Sequence, residues 1–168
     1  MTSLSLAARN LLGQDPALKA LLGRSASWST WVFDETPYAR FEGTSKCLIV
    51  VNEEGTWTFP NEHNSMRFPK LIIDVWADPT RNPDKSVKVQ DAKTKIEDIG
   101  KHLNRHFHLV DGGTPTGMPF VWGTAEEIAA KSGVVITGSQ RLNGPEYSPV
   151  TDSQGSIMGR YEFGVNVP

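Results

Sequence analysis

Between Phe68 and Phe107 the spacing of apolar residues changes once, from a strand period to a helix period. In the run Phe68 to Ala77, Leu71, Ile73 and Val75 share one side of an extended chain, and Ile72, Asp74 and Trp76 share the other. Two largely apolar faces suit a strand covered on both sides, by a helix on one and by a helix or a partner subunit on the other. Asp78-Pro79 and Asn82-Pro83-Asp84 then break the chain. Beyond them Val89, Ala92, Ile96, Ile99, Leu103 and Phe107 recur in steps of three and four, which predicts one long amphipathic helix. Asp91 before Lys95 and Glu97 before Lys101 are spaced for helix-surface ion pairs, each worth roughly 0.2–0.5 kcal/mol. Burial at roughly 1.5–3 kcal/mol for each large apolar side chain outweighs them, so docking on a sheet is expected to hold this helix.

The same reading extends along the chain. Leu4, Ala7, Ala8, Leu11 and Leu12 form a helical stripe ended by Gly13. Asp15-Pro16 reads as an N-cap followed by proline at the first helical position, opening a short helix with Leu18, Leu21 and Leu22 that Gly23 stops. Ser27 to Phe33 has strand character, and Lys46 to Val51 is a second strand, apolar on both faces. Asn52 to Met66 is a long polar loop that carries Trp57 and Phe59, and the strand after it is expected to pair with the strand before it. Asp111 to Pro119 reads as a loop, and Thr124 to Glu127 has capping-box spacing for a short helix reaching Ala130. Val134 to Leu142 reads as a strand or two, with Gly138 as a break. Tyr161, Phe163, Val165 and Val167 alternate with Arg160, Glu162, Gly164 and Asn166, so the last strand has one core face and one face that is wet or meets a partner. Asp152 to Gly155 supplies the turn of a hairpin joining it to the strand near Gln140.

Composition narrows the class. The chain has 168 residues, a formal net charge of −2 and no clustered Lys/Arg, which argues against direct nucleic-acid recognition. No apolar run approaches the roughly 20 residues that span a bilayer, and no leader is apparent, so a soluble protein made in a reducing cytoplasm is expected. The single cysteine, Cys47, precedes Leu48, Ile49 and Val50, where a small buried hydrophobe belongs.

Candidate chemistry is thin. His102 and His106 lie four apart on the long helix with His108 nearby, but without the glutamate or paired cysteines that complete a zinc site, and they read as a solvated helix end. Gly112-Gly113-Thr114-Pro115-Thr116-Gly117 lacks the Gly-Lys-Ser/Thr ending of a phosphate loop and follows a helix instead of a strand. Asp74, Asp78 and Asp84 suggest a two-metal carboxylate cluster only until Asp78 and Asp84 are recognised as turn and cap residues. No Gly-x-Ser-x-Gly elbow is present. Neither catalytic residues, a metal nor a cofactor is expected.

The order of these pieces resembles the tail terminator (tail completion, U-type minor tail) proteins of long-tailed bacteriophages. The residues that carry the resemblance are Ala17 to Gly23, Val32 to Tyr38, Cys47 to Val51 with the long loop after it, Leu71 to Ala77, the helix ending near Leu103 and Gly159 to Val167. They cover about two thirds of the chain. The resemblance implies an α/β (α+β) fold, a mostly antiparallel sheet of about four to five strands with helices packed on one face. It further implies a six-fold ring of copies on the last ring of the tail tube, which stops tube growth and offers a surface to the head connector. That places the protein at the head-proximal end of the virion tail, and in the host cytoplasm during assembly. Another head-to-tail neck protein of similar fold is the alternative, with a host-factor or nucleic-acid binding module behind it. One domain, 1–168, is expected, with 114–135 inserted beyond the common pattern. Candidate contact residues are Glu53, Glu54, Trp57 and Phe59 in the long loop, Trp76 on the second face of its strand, and Glu162 on the wet face of the last strand.

Overall fold

The computed structural model describes residues 4–22, 32–33, 47–54, 69–78, 80–81, 83–84, 87–108, 120–122, 134–136, 138–149 and 156–166. The helices are α1 (Leu4–Gly13), α2 (Pro16–Leu21) and α3 (Val89–Phe107). The strands are β1 (Val32–Phe33), β2 (Leu48–Glu54), β3 (Lys70–Ala77), β4 (Thr80–Arg81), β5 (Val87–Lys88), β6 (Phe120–Trp122), β7 (Val134–Ile136), β8 (Gly138–Pro149) and β9 (Ile157–Asn166).

Five strands form the main sheet in the order β1-β2-β3-β9-β8. β2, β3, β9 and β8 each run antiparallel to the next, and the short β1 runs parallel to β2. The result is an α+β fold with a mostly antiparallel sheet. Register sets the two faces. Ile49 lies opposite Val75, Val51 opposite Ile73 and Ile73 opposite Tyr161, so one parity of all three central strands points to a single side. On that side α1, α2 and α3 contribute Leu4, Ala7, Ala8, Leu12, Leu18, Ala92, Ile96, Ile99, Leu103 and Phe107 to one continuous core with Leu71, Phe163 and Val165. The other parity supplies a smaller cluster of Leu48, Val50 and Trp76, with Met158 packed against it.

The long helix meets the sheet closely because two glycines remove side chains at the crossing. A Cβ at Gly100 would run into the Tyr161 hydroxyl, and a Cβ at Gly159 into Cγ2 of Ile96. Tyr161 is buried and donates its O–H to the Ile96 carbonyl at 2.9 Å, which satisfies the one polar atom of this large, fully buried side chain. At the helix end the Ser139 hydroxyl donates to the Phe107 carbonyl, one of the four that a helix leaves without an internal partner.

Several expectations are corrected. β2 continues through Asn52, Glu53 and Glu54, so the strand runs three residues into the segment read as loop, with those side chains exposed. β8 continues past Leu142 to Pro149, interrupted by bulges between Arg141 and Asn143 and between Asn143 and Glu146. There Gly144 takes φ +115°, and the Gly144–Pro145 bond is cis. Gly and Pro in this stretch hide the strand from a pattern search, because bulges shift the alternation. The break at Gly138 separates two sheets: β7 pairs with β6, and β8 joins the main sheet. The β4–β5 and β6–β7 pairs are too short for a period-two signal. Within the segment 114–135 and its border, β6 and β7 pair with each other, and Ile136 at the end of β7 is buried in the main core. The Thr124 to Ala130 helix, the Asp152 to Gly155 turn and the Gly112 to Gly117 loop lie outside the described residues.

Candidate functional site

The second face of the sheet divides along its strands. Towards one end are the apolar Leu48, Val50, Trp76 and Met158; from the level of Val50 onwards the same parity carries Asp74 and Arg160, then Asn52, Ile72 and Glu162, then Glu54 and Lys70. Cross-strand register explains the order of the charges. Asp74 lies directly opposite Arg160, and the guanidinium grips the carboxylate with two parallel bonds, Nε to Oδ1 at 2.8 Å and a terminal nitrogen to Oδ2 at 2.9 Å. The Asp74 side chain is 7% exposed and that of Arg160 is 41% exposed, so the carboxylate is sealed while the arginine reaches the surface. Its Asp74 hydrogen bond raises the Arg160 pKa above the ordinary value against the opposing effect of burial, with the charges of Glu162 and Glu146 adding to the rise. Lys70 reaches diagonally to Glu162 at 3.4 Å.

Of the six candidate contact residues, the structure brings Glu54 and Glu162 near one another through Lys70, which is the register partner of Glu54 and the ion-pair partner of Glu162. Glu53 is exposed beside Glu54 but has the opposite parity. Trp76 sits at the far end of β3, roughly 20 Å away at the usual strand rise, and is only 5% exposed within the chain. Trp57 and Phe59 lie outside the described residues. The pairing of Asp74 with Arg160 escaped the sequence reading. An acid inside an apolar strand and a base at alternating spacing in another were both visible, but only register shows that they meet.

The chemistry weighed earlier resolves into structural contacts. Asp74 is taken by Arg160, Asp78 accepts from the Ser156 hydroxyl, and Asp84 sits in an exposed turn. Cys47 is buried at the start of β2. The histidines require a correction, because they do not form a solvated helix end. Asp15 caps α2 through Oδ1, which accepts from the N–H groups of Ala17 and Leu18 at 2.9 and 3.0 Å. Its Oδ2 lies 2.8 Å from His106 Nε2 and 3.5 Å from His102 Nδ1. The reason is tertiary: α2 packs across the last turns of α3, so the free oxygen of the cap faces the helix edge that carries both rings. Burial pushes the Asp15 carboxyl up, but the His106 hydrogen bond, the two amides and the His106 charge together hold it below its ordinary value. His108 accepts the backbone N–H of Arg141 at Nδ1, 2.9 Å away. On the outer face of α3, Glu97 accepts from the Tyr147 hydroxyl at 2.9 Å, and Lys101 pairs with Asp98 at 3.2 Å instead of with Glu97. Burial, then the Glu97 bond and charge, push Tyr147 up to about 12. Among the described residues no group of three or more His, Cys, Asp or Glu is placed to hold a metal ion, and no helix is long and apolar enough to cross a membrane.

No family model matches the chain, and no curated protein matches it either. Solved structures do. A chain in the structure described as "Virion of native gene transfer agent (GTA) particle" superimposes with a TM-score of 0.61 at 14% identity, covering 98% of this chain and 94% of that one. The two share a fold along nearly their whole lengths.

Proposed function

We propose that this protein is a structural component of a phage-type particle, and that it closes the head-proximal end of the tail tube as a ring, halting tube growth and presenting a surface to the head connector. The observation that carries the reading is the whole-length fold likeness to a chain of a gene transfer agent virion. The order of segments that resembles the tail terminators supports it independently. The sheet adds physical support, since Glu54, Lys70, Arg160 and Glu162 offer exposed or half-exposed charges of both signs on rigid strands. Mixed signs on a stiff scaffold suit specific contact with a protein. They do not suit the uniform phosphate charge of nucleic acid.

The partners are then further copies of the chain, six by the resemblance, the tube protein on one side and the connector on the other. No catalysis is part of this role. A ring needs heterologous contacts that close by rotation. The segment 114–135 is an elaboration of the common pattern that contains β6 and ends within β7.

The test is co-assembly. Purified tube protein polymerised alone should give tubes of unregulated length, and addition of this chain should stop growth and leave a ring visible at one tube end by electron microscopy. Tubes that lengthen unchanged, with the chain remaining a strict monomer in their presence, would sink the reading. Binding to purified connector without any effect on tubes would instead identify another neck protein of the same fold.

A further inference from the structure

The C-terminal end of α3 and the residue that follows it join two other elements through imidazoles, and the two joints respond to protons in opposite senses. On one side His106 and His102 face the Asp15 carboxylate that caps α2. On the other side His108 Nδ1 accepts the Arg141 N–H of β8. Among the described residues β8 is the terminal strand of the main sheet, so an outward N–H on it belongs to that edge. A free edge amide is the template on which another strand pairs.

Hydrogen-bond chemistry fixes the direction at each joint. An imidazole that accepts at Nδ1 needs the lone pair there, so its ring proton sits on Nε2, and a doubly protonated ring cannot accept at all. An imidazole beside a carboxylate gains from the same proton, because the contact becomes charge-assisted. We infer that the C-terminal turn of α3 is a proton-operated joint: a proton on His108 releases the β8 edge at Arg141, while protons on His106 and His102 tighten the hold of the same turn on α2.

The surroundings are consistent with release at His108. The ring is exposed and so reached by solvent protons. Among the described residues Arg105 lies one turn back on α3 and Arg141 lies on β8, both exposed cations; the strand partner of Arg141 on β9 is the apolar Phe163. Neither offers an acceptor that would hold the protonated ring in place. At the other joint the facing groups are Asp15 from the α2 cap and the two histidines of α3, with side chains 12%, 17% and 24% exposed. The fold therefore sets a guarded contact and an open one within a single helical turn of each other.

The experiment is a heteronuclear NMR titration of the full chain between about pH 8 and pH 5, the range in which imidazoles ordinarily change charge. The Arg141 amide should move towards the position of an unbonded amide as pH falls. Its exchange, corrected for the intrinsic pH dependence, should become roughly fivefold faster, the effect of losing one ordinary hydrogen bond. The amides of Ala17 and Leu18 should hold or gain protection over the same range. His108→Gln, whose side-chain oxygen accepts without titrating, should leave Arg141 protected at every pH, and His108→Ala should leave it unprotected at every pH. An Arg141 amide that ignores pH in the native chain overturns the inference, as does one that still titrates in His108→Gln.

Discussion

At the scale of single residues, close contacts decide more than charges. Gly100 is the sharpest case. Alanine there would gain roughly 1 kcal/mol of helix propensity. It would also drive a methyl group into the hydroxyl of a buried tyrosine that the Ile96 carbonyl holds in place. Overpacking of that kind costs about 1–3 kcal/mol, so Gly100→Ala is expected to lower the urea midpoint. Tyr161→Phe in the same background should restore part of the loss by removing the clashing oxygen; a Gly100→Ala variant more stable than the parent would show that helix and sheet are not in contact there. Asp15 gives a pH-dependent expectation with a definite sign. Its folded pKa lies below the ordinary 3.8, so the stability it contributes is present above that value and is lost as pH falls from it through the lower folded value. Asp15→Asn keeps the cap and should flatten that acid limb, whereas Asp15→Ala should also lose about 0.5–2 kcal/mol at neutral pH, read from denaturation midpoints across a pH series.

At the scale of elements, the sequence was most legible where a period repeated often enough to rise above accident. Ala92, Ile96, Ile99, Leu103 and Phe107 are buried as their spacing requires, and α1 ends at Gly13 as its stripe does. Leu103→Ala should therefore cost about 2–5 kcal/mol. Lys101→Ala, with its side chain 73% exposed, should stay within about 0.5 kcal/mol. Equal chemical-denaturation midpoints for the two would overturn the assignment of faces. What the sequence concealed has physical reasons as well. β8 breaks its own alternation at two bulges, and β1 is two residues long. The candidate contacts were legible as types and not as a set. Glu54 and Glu162 are each polar at a strand position, but register alone shows that Lys70 stands between them. The Asp15–His106 contact joins residues far apart in sequence, and no local pattern announces it.

At the scale of the whole molecule, the proposed ring role makes a separable prediction. If Trp57 and Phe59 anchor a partner, replacing both with Ser should leave the thermal midpoint unchanged while tubes grow overlong; a variant that unfolds would return those aromatics to the core. The sheet carries a further consequence, for how the protein is made. β9 lies between β3 and β8, so the last of the described strands in chain order is an inner strand of the sheet. Ile73 of β3 must wait for Tyr161, and at common elongation speeds of about 5–20 residues per second the wait lasts roughly 5–20 s. Over that interval one flank of β3 stays open and part of the floor under α3, which rests on β9 as well as on β3, is missing. Such an exposed flank is the kind of surface that holdase chaperones bind. The sheet is closed only when β9 stands between β3 and β8, so a subunit becomes competent to join an assembly only once that strand is in place.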